Sequence, residues 1–167
     1  MAILERINLF TQKGRDMTLA KLLKEGVVCF LEEDTQKNAL RKLVDALADA
    51  GEVSNKEVFF EAILKRETIV STGIGMGVAV PHAKLADFDH FFLAVGLQKS
   101  KEGIEWDALD QTPVRLIFLI GGPANQQTEY LKILSRLTAA VKDEERRKRL
   151  LCAESKEDIL ALFEGID

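Results

Sequence analysis

The 167 residues predict a layered domain of strands and helices, of the α/β or α+β class, around a sheet covered on both faces. Three observations carry this expectation. The runs FFLAVGLQ (91–98) and VRLIFLIGG (114–122) are too continuously apolar to leave a wet face. Long segments between and after them repeat apolar residues at helical spacing. With 47% hydrophobic and 30% charged residues, the chain has the balance of one domain that buries a core without a metal or disulfide staple.

In chain order, residues 1–17 have weak periodicity and contain the breaker-rich run Gln12-Lys13-Gly14-Arg15-Asp16. They read as an extension before a domain spanning 18–167. Glu5 and Arg6 interrupt their only apolar stretch, so they do not read as a secretory leader. Thr18 is placed to cap a helix that Gly26 stops, and VVCFL (27–31) then reads as a buried strand. Leu40, Leu43, Val44 and Leu47 mark a helix from Asp34 or Thr35 to Ala50, with Gly51 as its stop. Ser54-Asn55-Lys56-Glu57 has the form of a capping box, opening a helix that carries Val58, Phe59, Ala62 and Ile63 and ends in Lys65-Arg66-Glu67.

Residues 68–85, TIVSTGIGMGVAVPHAKL, change character, with three alternating glycines and then a proline directly before a histidine. Residues 99–113 form a polar connection between the two apolar strands and carry the sole tryptophan, Trp106. Asn125 is expected to cap a long helix burying Tyr130, Leu131, Ile133, Leu134, Leu137 and Val141. A charged helix over 143–152 follows, and a last one runs from Ser155 through Phe163.

The net charge of −4 argues against a nucleic-acid partner, and no apolar run approaches the roughly 18 residues of a membrane span. The run Glu144 to Arg149 mixes both signs at helical spacing, as a solvated helix face does. Cys29 and Cys152 sit far apart in apolar segments and read as buried, reduced thiols of a cytosolic protein.

Chemistry concentrates at His82. Gly73, Gly75 and Gly77 permit backbone shapes in which successive N–H groups face one anion, Thr72 adds a hydroxyl, and Pro81 fixes how the chain enters His82. The third glycine comes one residue early for a dinucleotide fingerprint, and no lysine and hydroxyl pair follows it as a P-loop requires. Two histidines without metal spacing do not make a zinc site, and the serine-hydrolase elbow is absent. The residues alone leave open whether His82 is a nucleophile or a hydrogen-bonded turn residue.

The pattern Arg66-Glu67, then Ser71-Thr72-Gly73-Ile74-Gly75-x-Gly77-Val78-Ala79-Val80-Pro81-His82-Ala83, resembles the active-histidine signature of the mannitol/fructose/nitrogen (type 2) enzyme IIA of the bacterial sugar phosphotransferase system. Trp106, Pro113-Val114 and the helix near Asn125 extend the similarity over about 18–165. The resemblance implies an α/β fold, a three-layer domain with a central mixed β-sheet flanked by helices on both faces. It implies that His82 accepts a phosphoryl group from a small phosphohistidine carrier protein, without a cofactor or metal. Arg66, Thr72 and Gly73 would contact the phosphoryl group, and a IIB-type domain or a regulated protein would be the downstream partner.

One position departs from the pattern. Relatives commonly place a second histidine in a Glu-His-Leu setting, where this chain has Glu129-Tyr130-Leu131. Tyr130 can donate one hydrogen bond but cannot become a cation, and a core aromatic is the competing reading. His90 does not occupy that place and reads as a solvated turn residue. With no attached sugar-specific or membrane segment, and with Tyr130, the reading leans to a nitrogen-type regulatory phosphocarrier in the cytoplasm. The alternatives are the IIA component of a mannitol/fructose-type sugar uptake system, and a binding protein that is never phosphorylated.

Overall fold

The computed structural model describes residues 18–166, so the extension expected over 1–17 lies outside the described residues. Helix α1 (Leu19–Glu25) starts where Thr18 Oγ1 accepts the Lys21 N–H at 3.1 Å. It stops at Gly26, where a Cβ would stand 2.4 Å from the Leu93 carbonyl oxygen, so only glycine lets the chain enter β1 (Val27–Leu31) here. Helices α2 (Gln36–Asp49) and α3 (Lys56–Ile69) follow, capped by Thr35 and Asn55.

Three short strands, β2 (Gly73–Gly75), β3 (Val78–Ala79) and β4 (His82–Leu85), lead to the two long ones, β5 (Phe92–Gln98) and β6 (Leu116–Pro123). Helices α4 (Gln127–Val141), α5 (Glu144–Leu151) and α6 (Lys156–Ala161) close the chain. The sheet order is β1-β5-β6-β3-β2, with β4 continuing beyond β3 along β6. β5 and β6 pair antiparallel, whereas β1 on β5 and both β3 and β4 on β6 are parallel, so the sheet is mixed.

Alternation along the strands divides the core between two faces. Leu93, Val95, Leu97, Leu116, Phe118 and Ile120 pack toward α1 and α4. Phe92, Ala94, Ile117 and Leu119 pack toward α2 and α3. Every residue of β5 and β6 is buried, which is what two covered faces require of central strands. The expected α/β three-layer architecture is the observed one.

Several local expectations differ from the structure. In VVCFL only Leu31 is fully buried, because β1 is an edge strand. Asn55 rather than Ser54 caps α3, and the Glu57 carboxylate pairs with Arg41 at 2.8 Å instead of closing a capping box. Asn125 does not cap α4: the N-cap is Gln126, with no side-chain hydrogen bond. Leu131, expected inside, is 51% exposed on the outer side of α4. Cys152 is exposed and Cys29 half-buried, and both are free thiols. The charged run on α5 is a solvated face as expected, with Lys148–Glu144 and Arg149–Glu145 pairs at 3.3 and 3.5 Å.

Candidate active site

The glycine run builds a hairpin. Gly75, Met76 and Gly77 all have positive φ (93°, 61° and 76°), the turn between β2 and β3 that glycine at two of three positions tolerates. The Met76 N–H donates to Asp110 Oδ2 at 2.8 Å, and the Gly77 carbonyl accepts from Arg115 and Leu116 at 2.9 and 3.1 Å. The hairpin is thereby fastened to β6. Pro81 offers no N–H but accepts from Ile120 at 3.0 Å, and β4 then begins at His82 in register with Ile120. Among the described strands β4 pairs only with β6, so His82 stands at a margin of the sheet between α3 and α4.

His82 Nδ1 lies 3.1 Å from the Val80 carbonyl oxygen. A carbonyl only accepts, so Nδ1 carries the proton and Nε2 is left with its lone pair. Burial pushes the imidazole pKa below its ordinary value; the Val80 carbonyl opposes this, while Arg66 and Lys84 lower it further. The ring is neutral, and its Nε2 nucleophilic, at neutral pH.

A cleft of about 370 Å³ opens at this margin, lined by Lys65, Arg66 and Ile69 of α3 and by His82 and Lys84 of β4. Arg66 Nη1 donates to the Val70 carbonyl at 3.0 Å, which holds the guanidinium at the end of α3. Tyr130 approaches from α4, its ring 5.0 Å from the imidazole and tilted by 40°. It is 3% exposed and its hydroxyl has no hydrogen-bond partner. Burial pushes its pKa up to about 12, with Arg66 pulling weakly the other way, so the hydroxyl stays a donor. Lys84 Nζ sits 4.5 Å from the centre of the Tyr130 ring and donates to Gln127 Oε1.

Thr72 and Gly73 spend their donors inside the protein. Glu67 accepts both the Thr72 hydroxyl and the Thr72 N–H, the latter at 3.1 Å, and the buried Trp106 Nε1–H at 3.2 Å. The Gly73 N–H donates to Ser71 Oγ at 3.1 Å. The structure therefore gathers His82 and Arg66 at one cleft, with the buried Tyr130 ring packed against the imidazole, while Thr72 joins a polar knot tying the end of α3 to β2.

Two residues of this region carried no sequence assignment. Lys84 shares the His82 face because two residues apart on a strand point the same way, a signal usable only once 82–85 is known to be a strand. Glu67 stands in the signature beside Arg66, but its role was not readable, since its partner Trp106 is 39 residues away in sequence. His90 stands apart, half-exposed between the Glu52 and Asp89 carboxylates.

Among the described residues no helix is long and apolar enough to cross a membrane, and no group of three or more His, Cys, Asp or Glu could hold a metal ion. The chain is 38% identical over 130 residues to the fructose-specific EIIA component of Haloferax volcanii, covering 76% of this chain and 83% of that protein. It is 36% identical over 152 residues to the fructose-specific EIIABC component of Bacillus subtilis, covering 90% of this chain but only 24% of that longer protein. The crystal structure of the nitrogen regulatory protein IIA-Ntr from Neisseria meningitidis superposes with a TM-score of 0.77 at 28% identity, over 86% of this chain and 97% of that one. A family model described as "Phosphoenolpyruvate-dependent sugar phosphotransferase system, EIIA 2" matches residues 21–165. With its mixed three-layer sheet and its histidine at the margin of β4, the chain belongs to this EIIA 2 family of the phosphotransferase system.

Proposed function

We propose that the chain is a phosphocarrier that takes a phosphoryl group on Nε2 of His82 from a small phosphohistidine carrier protein. The observation that carries this reading is the Nδ1 contact with the Val80 carbonyl, which leaves Nε2 unprotonated beside Arg66. In the transfer the Nε2 lone pair forms the new N–P bond as the donor's N–P bond breaks. The donor imidazole leaves with that electron pair, and no proton need move, since Nδ1–H stays on its carbonyl. Arg66 neutralises charge on the equatorial oxygens, and Tyr130 donates to one of them. Thr72 and Gly73 support the hairpin in the resting site and reach a phosphoryl oxygen only by giving up their present acceptors.

Two downstream routes suit this chemistry. A regulatory role of the nitrogen type, acting in the cytoplasm on a partner protein, fits Tyr130 because a switch tolerates slow turnover. A sugar-uptake role, with a IIB-type domain as acceptor, is favoured by the likeness to fructose-specific relatives. Release of label from the phosphorylated chain to a fructose-type IIB domain separates them: rapid transfer selects uptake, and none selects regulation.

The acceptor itself is tested by labelling from the phosphorylated carrier. His82→Ala is expected to abolish labelling and His90→Ala to leave it intact. Arg66→Ala is expected to slow it by about one to two orders of magnitude, equivalent to roughly 1.5–3 kcal/mol of charged hydrogen bonding. Label retained in His82→Ala would overturn the assignment.

A further inference from the structure

Two cations face the imidazole, and neither has a carboxylate partner among the described residues. Arg66 spends one N–H on the Val70 carbonyl, and Lys84 donates to the neutral Gln127 amide. The nearest acid on the same helix, Glu67, is committed to Thr72 and Trp106. Lys65, Arg66 and Lys84 line the cleft against the single nearby carboxylate of Glu67, so its net charge is positive and a dianionic group balances it.

Lys84 is also held in place. Its ammonium rests on the face of Tyr130, the same ring that lies against His82, and the Gln127 side chain tethers it from the first turn of α4. A flexible lysine on an edge strand has no such constraint by default, and confining it costs side-chain entropy. An ammonium has three N–H donors, and Lys84, which lines the cleft, gives one to Gln127.

Resting on the phosphocarrier reading above, we propose that Lys84 is the second phosphoryl-binding cation of the site, with Tyr130 as its platform and Gln127 as its tether. Arg66 approaches from α3 and Lys84 from β4, so the two clamp the phosphoryl oxygens from either side of His82. The sole tyrosine then has a use a histidine would not serve. Its ring carries the charge of Lys84 instead of bearing one itself.

The test compares Lys84→Met, Lys84→Gln, Lys84→Arg and Gln127→Ala in full-length protein, by labelling rate from the phosphorylated carrier and by NMR titration of the His82 ring. The two neutral variants should slow transfer by roughly tenfold to a hundredfold with an unchanged melting temperature. Lys84→Arg should stay within about threefold of wild type, and Gln127→Ala should fall between. The titration reads charge independently of transfer. The groups facing His82 are Arg66 and Glu67 of α3, Lys84 of β4 and Tyr130 of α4, so losing the Lys84 cation should raise the His82 pKa and arginine should restore it. Neutral variants within twofold of wild type, with His82→Ala inactive, would overturn the role of Lys84 and leave His82 as acceptor. Equal slowing in the neutral and arginine variants would also overturn it, because packing rather than charge would be the cause. Label that survives in His82→Ala, or fails to enter wild type, would remove both readings.

Discussion

Tyr130 carries a hydroxyl that is buried without a partner beside the imidazole. An unsatisfied buried donor costs about 1–3 kcal/mol, a cost that an acceptor arriving with a ligand removes. On the phosphocarrier reading proposed above, a phosphoryl oxygen would supply that acceptor. Tyr130→Phe keeps the ring beside His82 and the platform under Lys84 while removing only the hydroxyl. The unphosphorylated protein is therefore expected to be as stable as wild type, or more stable by up to about 1 kcal/mol, while transfer slows roughly twofold to tenfold. Thermal melts and transfer rates on the same preparations check both halves. A Phe variant that melts early and transfers normally would make the hydroxyl a structural group. The residue type and its place in the motif were legible in the sequence, whereas the missing partner was not. Satisfaction of a buried group depends on every element packed around it.

Between elements, one pH-sensitive contact joins the α2–α3 turn to the segment before β5. His90 Nε2 lies 2.8 Å from Glu52, just beyond the positive-φ stop at Gly51, and its Nδ1 contacts Asp89. Asp89 first, then Glu52, raise the imidazole pKa above its ordinary value against the effect of burial. The folded state binds this proton more tightly than the unfolded one. The stabilisation is thus complete below the unfolded value of about 6.5 and fades as pH rises through the raised folded value. His90→Gln should lower the melting temperature at pH 5.5 and match wild type near pH 8.5. A gap that persists unchanged at pH 8.5 would mean the charge is not the cause. Sequence reading placed His90 correctly at the solvated surface but had no means of pairing it with Glu52, 38 residues earlier. Caps were readable where the side chain bonds its own helix, as at Thr18 and Ser155. At Asn125 the chain leaves β6 in a direction that puts the helix start one residue later.

At the scale of the molecule, the two cores share one sheet and should unfold together. Trp106 is buried on the α2–α3 side, and Leu137 is fully buried on the α4 side. Leu137→Ala should cost about 2–5 kcal/mol through lost burial and the cavity left behind. Because β5 and β6 present residues to both faces, tryptophan fluorescence should report the same shifted midpoint as far-ultraviolet circular dichroism, although Trp106 does not touch the substitution. Two separate midpoints would show that the layers melt independently.

Sequence by itself determined the layers and, through the family resemblance, singled out His82 for the proposed chemistry. The unbroken apolar runs of β5 and β6 have no stable place except between two covers, and the Pro81-His82 step after alternating glycines is a local pattern whose specificity survives without coordinates. Tertiary structure decided what surrounds that residue. The glycines proved to shape a hairpin whose turn donates to Asp110. Thr72 was drawn away by Glu67 and Trp106, and Lys84 was brought onto Tyr130 from a strand 46 residues earlier. Periodicity reports which side of its own element a residue occupies, but the ring under Lys84 and the acceptor of Thr72 are set by how separate elements cross. Crossing is fixed only when the whole core packs.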